Sequence, residues 1–253
     1  RVLFRSRFRP GQVFRYRLEQ ALLVSFQLPG QTTTELRSEI RAVVRRQVLF
    51  VTADGTAELL CRMETWQRRN WVGQTAAAAD PAERVTILDT PVRLRINPRG
   101  LVQLVTPQEL PAAVDLDSYG DFSFLPQHPM VAGQEWTGLA TTKVQGVEAT
   151  SANKSRLEGI QSGIGARVAR IAQDVRIEIP WFKAPTSGSG LNQMEASGSF
   201  FGAGTISFDL GAGVPLEQLL LYQGKFNARL QVGESLFEVP LRAELITSMI
   251  LLS

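Results

Sequence analysis

The chain has 253 residues, 44% of them apolar, and a formal net charge of +3. That is enough to bury a core in one large domain or in two of about 125 residues, and no apolar run approaches the roughly 18 to 20 residues of a membrane-crossing helix. A single cysteine, Cys61, excludes an internal disulfide, and one cysteine with one histidine excludes the usual zinc ligand sets.

The charge is unevenly placed. Residues 1–70 hold 13 Arg and 6 acids, a net +7, and the remainder holds 14 Lys or Arg and 18 acids, a net −4. Such asymmetry steers association with an acidic surface or with the acidic half of a sister molecule. The chain starts at Arg1 rather than Met, which raises a removed signal peptide, lipoprotein leader or expression tag, with the signal peptide as the expectation.

From the N-terminus, Phe4-Arg5-Ser6-Arg7-Phe8-Arg9 alternates like a strand and has no hairpin partner next to it in sequence. Its expected role is to pair with a sheet edge, in its own molecule or in a neighbour, so Phe4, Arg5, Arg7 and Phe8 are candidate partner contacts. Pro10-Gly11-Gln12 then opens a sustained period of two: Phe14, Tyr16, Leu18, Gln20, Leu22, Val24, Phe26 and Leu28 share one face. Pro29-Gly30-Gln31 supplies a turn. A return strand sets Leu36, Ile40, Ala42, Val44, Val48 and Phe50 against Glu35, Arg37, Glu39, Arg41, Arg45 and Gln47.

Asp54-Gly55 is the favoured dipeptide of a two-residue hairpin. Beyond it Leu59, Cys61 and Met63 continue the buried face, which makes Cys61 an inert core thiol. Trp66 and Trp71, flanked by Arg68 and Arg69, are candidates for the mouth of an apolar cleft or a partner contact, with rim packing as the plainer role. Alternation stops between Gln67 and Asp89, where Thr75 to Pro81 reads as a loop or one helical turn. A strand-turn-strand follows at Val92 to Leu101. Thr106 to Val114 has the cap, proline and acid of a short helix.

Near residue 132 the plan starts again. Ala132-Gly133-Gln134-Glu135-Trp136 repeats the opening Gly-Gln, and Thr205 to Val214 repeats the strand-turn-strand. Val168, Val175, Ile177 and Ile179 lie on further strands, and Leu220 to Val232 and Phe237 to Leu245 recover full alternation. The fold expected is mostly β: two tandem pseudo-repeats, residues 1–120 and 121–253, of long antiparallel strands in a curved sheet with one or two short helices. The alternative is one continuous domain in which the two share a single sheet.

Several chemistries fail on their residues. A Ser-His-Asp group needs a histidine, and the only one, His128, sits between Gln127 and Pro129 with no nucleophile at recognisable spacing. Asp115-Leu116-Asp117-Ser118-Tyr119-Gly120-Asp121 starts like a calcium loop, but Tyr119 falls on a ligand position and Pro126 where a Glu should close the shell. Gly202, Gly204, Gly211 and Gly213 match neither a dinucleotide nor a phosphate-loop pattern. Arg5, Arg7, Arg9, Arg15 and Arg17 alternate out of phase with Phe4, Phe8, Phe14 and Tyr16, which separates rings from charges and argues against nucleic acid. No catalytic residue, cofactor or metal is expected.

The segments Gly11 to Tyr16, Leu94 to Val102, Leu125 to Trp136 and Gly202 to Asp209 resemble a family of bacterial secreted proteins and lipoproteins, a domain of unknown function in which a duplicated β unit follows a signal sequence. The resemblance implies export to the periplasm, cell surface or medium and a strongly curved antiparallel sheet. It carries no catalytic residues. The leading expectation is a non-catalytic structural or interaction protein of the envelope, self-assembling through its N-terminal segment or meeting another envelope component. The alternative is a carrier holding a lipid or other apolar molecule in the concavity of the sheet.

Overall fold

A computed structural model describes residues 1–77, 84, 87–105, 125–144, 147–162, 167–184, 193–232 and 235–252. The expected helix at 106–114 and the acidic run at 115–121 lie outside these residues.

Alternation of apolar and polar residues makes twelve strands: β1 Val13–Gln27, β2 Thr33–Val51, β3 Ala57–Val72, β4 Thr75–Ala77, β5 Val92–Ile96, β6 Val102–Leu104, β7 Glu135–Val144, β8 Val147–Ser162, β9 Arg167–Ala184, β10 Gln193–Asp209, β11 Val214–Val232 and β12 Ser235–Leu252. They form one open, curved antiparallel sheet in the order β6-β5-β3-β2-β1-β12-β11-β10-β9-β8-β7, with β4 beside β3. Each half is a meander. The first runs outward from the middle of the sheet, the second starts at the opposite edge and returns to the middle, and β1 joins β12 over the register Arg15↔Leu252 to Phe26↔Leu241.

The repeated openings fold alike. Gly11 and Gly133 take φ of 81° and 87°. The amide of Gly11 donates to Val48 O at 2.9 Å and that of Gly133 to Leu157 O at 2.7 Å, while Gln12 O and Gln134 O accept from Val48 N and Leu157 N. Each Gln side chain closes its own turn, Oε1 accepting from Arg9 N in one and from Val131 N in the other. The strand-turn-strand units match as well, since Asn97 Oδ1 accepts from Arg99 N and Leu101 N, and Asp209 Oδ1 from Gly211 N and Ala212 N. The hairpin at Asp54-Gly55 differs from the two-residue form expected. Thr52 N donates to Thr56 O and Gly55 N to Thr52 O, a three-residue loop with Gly55 at φ 85°, because Asp54 Oδ1 accepts from the Thr56 amide.

Even positions of β1 and odd positions of β12 share the face that carries the core. A bulge between Val43 and Val44 adds Glu64 to β3 and reverses the parity beyond it. On β10 and β11 that face alternates glycine with rings: Gly198 opposes Phe226, Phe200 opposes Gly224, and Gly202 opposes Tyr222. A Cβ on Gly202 would lie 2.3 Å from the Tyr222 ring, and one on Gly224 2.7 Å from Phe200. The rings therefore lie flat on the opposite backbone, which lets the sheet curl tightly here.

The two openings give a direct test of the repeat. Nothing lies within 4 Å of a Cβ built at Gly11 or at Gly133, so each alanine substitution meets only the strain of positive φ. Gly11→Ala and Gly133→Ala should each cost about 1–2 kcal/mol in urea denaturation. A cost at one site and none at the other would contradict equivalent turns.

Candidate functional site: the concave face

The N-terminal segment lies across the concave face. Val2 exchanges both backbone hydrogen bonds with Met130, Ser6 N donates to Pro98 O, and the Arg5 guanidinium donates to Pro126 O at 2.9 Å and Gln127 O at 3.0 Å. It thereby links the β5–β6 turn to the segment that leads into β7. Phe4 is fully buried between Trp136 and Phe208, at centroid distances of 5.9 and 5.7 Å. Through the registers of β7 to β10 these two partners sit three strands and four residues apart, roughly 20 Å on a flat sheet. One ring touches both, so the sheet folds around it.

Of the residues expected at a partner surface, Phe4 and Phe8 are thus core residues of their own chain, whereas the side chain of Arg7 is exposed and Arg5 is half-buried. Trp66 and Trp71 do not share a cleft mouth. The Glu64 bulge puts Trp66 on the core face, 2% exposed, and Trp71 on the outer face under the Arg37 guanidinium at 5.2 Å. His128 is exposed. Among the described residues no three His, Cys, Asp or Glu are grouped to hold a metal.

The end of the sheet closed by the segment is tightly filled. Phe8, Phe14, Tyr16, Leu59, Leu94 and Ile87 pack in one cluster with Val214 and Met249, and Val2, Phe4 and Leu157 belong to a second with Phe208. The gap between Trp136, Ser155, Phe208 and Gln218 has room for about one water molecule.

Alternation puts the charged Arg46 in phase with the buried Ala42, Val44 and Val48, and it is 1% exposed. Its guanidinium stacks 4.6 Å over Tyr16, and Nη2 lies 3.9 Å from Met249 Sδ. Burial lowers the pKa of Arg46. Burial also pushes the Tyr16 hydroxyl up to about 12 and the Cys61 thiol up to about 11, against the opposing pull of Arg46. Tyr16 Oη donates to Pro215 O at 3.3 Å. The cluster is a sealed core, with no access for a reactant.

The other end of the concave face is different. Phe26, Leu230, Val239 and Leu241 are buried, yet Leu22, Val24, Leu36, Ile177, Phe200 and Phe237 on the same face are only half-buried. Between the two ends runs a polar row, Gln20, Thr247, Gln173 and Ser155.

No family model matches the chain, and no curated sequence matches it. A structure of lipovitellin, reported for its lipid–protein interactions, is similar over 97% of this chain with a TM-score of 0.55 at 12% identity. The chain spans 25% of lipovitellin's length, and at that identity the likeness is one of fold. Salmonella typhi OmpF in complex with daunomycin and Pseudomonas aeruginosa OccK9 (OpdG) each cover 95% of the chain, with 8% and 11% identity, at TM-scores of 0.26 and 0.21, too low to bear on it.

The buried thiol and phenol set an alkaline limit. Both have raised values when folded, so their contribution is complete below the unfolded values of 9.0 and 10.0 and is lost as pH rises toward about 11 and about 12. The urea midpoint should fall from pH 9 upward, and Cys61→Ala should flatten the portion between pH 9 and 10. A midpoint constant to pH 11 would contradict their burial.

Proposed function

We propose that this chain is a non-catalytic binding protein that holds a lipid-like, apolar molecule against its concave face. The observation that carries this reading is the contrast between the two ends of that face. One is sealed by the chain's own N-terminal segment, while the other presents Leu22, Val24, Leu36, Ile177, Phe200 and Phe237 at intermediate exposure. Apolar surface left half-covered inside a curved sheet gains free energy from any apolar occupant, about 25 cal/mol for each Å² covered. The fold shared with lipovitellin supports the same reading. Export to the cell envelope belongs to the proposal through the family resemblance of the turn and strand motifs.

The test is transfer of a pyrene-labelled phospholipid from phosphatidylcholine vesicles to the purified chain. Transfer should be observed. Val24→Glu, which puts a charge among apolar neighbours, should weaken it at least about tenfold, and Leu221→Lys on the outer face should leave it unchanged. Absence of transfer to the unaltered chain would overturn the reading.

A second reading, self-association, is favoured by the outer face. Ala21, Ile246, Leu221 and Ala203 oppose one another on successive strands, with Leu219 alongside; Leu219, Leu221 and Ile246 are 41%, 52% and 46% exposed. At its two ends the row meets Glu39 on β2, ion-paired to Arg37, and Asp174 on β9, and a second copy turned about a two-fold axis covers its exposed leucine and isoleucine side chains. Sedimentation should then show a dimer that Leu221→Lys dissociates. A monomer at low and high salt alike would end this reading.

A further inference from the structure

The polar row crosses the concave face at one level. Gln20 on β1 opposes Thr247 on β12, and the line continues through Leu220, Gly204 and Gln173 to Ser155 on β8. Asn153 lies one step from Ser155 toward the half-open end, opposite Val175. Gln173, Ser155 and Asn153 are 3%, 2% and 9% exposed. Neither amide atom of Gln173 has a hydrogen-bond partner, nor does Oδ1 of Asn153. Leaving such a buried group without a partner costs stability, which an apolar residue of similar size would avoid.

The surroundings restrict what could meet these groups. On the core-facing side of β8 to β11, residues 149–157, 169–179, 194–208 and 218–230 present no Asp, Glu, Lys or Arg. A carboxylate, phosphate or ammonium would lie there without a counter-charge. The unpartnered atoms are one donor and two acceptors, so the complementary group is uncharged and both accepts and donates, as a hydroxyl beside an ester does. From Gln173 the face continues through Val175 and Ile177 to Ile179, with Phe200 opposite Ile177 on β10 and with Leu22 and Val24 of β1 packed against the same cluster. The run from Gln173 to Ile179 spans about 20 Å, more than the roughly 15 Å of hydrocarbon in one bilayer leaflet.

We propose that Gln173 and Asn153 form a polar subsite that binds the uncharged hydroxyl-and-ester head of a monoacyl lipid, with its chain lying over Val175, Ile177 and Ile179 toward the half-open end. This rests on the carrier reading and specifies its ligand.

The experiment is displacement of 1-anilinonaphthalene-8-sulfonate from the full chain by 1-monooleoylglycerol, 1-octadecene and oleate. Monooleoylglycerol should displace the dye at about one-tenth the concentration of octadecene, the advantage of one or two buried hydrogen bonds, and oleate at pH 9 should be no better than octadecene. Gln173→Leu, with Gln173→Met and Asn153→Leu as further variants, should abolish the difference and leave octadecene unchanged. Equal displacement by the two neutral compounds in the unaltered chain, or a difference that persists in all three variants, would overturn the subsite while leaving the carrier reading intact. A raised melting temperature in the variants with an unchanged displacement order would assign these amides to buried water and also overturn it. Failure of all three compounds to displace the dye would remove both proposals.

Discussion

The pairing of β1 with β12 is the constraint on which the rest of the sheet depends. The two meanders are each held by local hairpins, but they become one surface only along this seam, whose partners are more than 200 residues apart in sequence. Closing such a loop is entropically costly and slow to find, so the register must be strongly specified. On the core face Leu18 meets Met249, Leu22 meets Leu245, and Phe26 meets Leu241; on the outer face Arg17 meets Ile250 and Ala21 meets Ile246. Apolar contacts on both faces of one seam explain why Ile246 is tolerated in water, since a one-residue slip would exchange the two sets and expose the core side.

The N-terminal segment extends the same logic at one end. An open sheet has two edges that attract foreign strands. Here residues 1–9 run between the β5–β6 turn and the approach to β7, hydrogen-bonding to both, and Phe4 fills the space between them. An alternating segment with no neighbour to pair with was an expected edge-binding strand, and it is used within its own molecule. Its alternation serves burial: Phe4 and Phe8 point in, and Arg7 points out.

The strands, the shared face of Phe14 to Phe26, the core position of Cys61 and the recurrence of the Gly-Gln opening were legible because each depends on residues close in sequence. Three features were not. The Glu64 bulge changes which tryptophan is buried, and nothing local announces the extra residue. Arg46 was visible in phase with Val44 and Val48, and only its stacking on Tyr16 shows why a cation is tolerated there. Gln20 was readable as a polar residue on an apolar face. That Thr247 and Gln173 lie level with it is a property of register between distant strands, which no window of sequence contains.

That alignment shapes the energetics of the concave face. A sheet with one core of this size gains most from apolar rows, and the neighbouring row of Leu18, Met249, Ile206, Ile171 and Leu157 carries one polar member, Gln218. The polar row forgoes part of that gain on several strands at once, at the level where the packed end gives way to the half-covered one. A stray polar residue would be expected at random heights. Residues from both meanders, brought level by the single seam between β1 and β12, instead divide the face into a filled end and a receptive end. The register that makes the fold one sheet is therefore also what places this boundary.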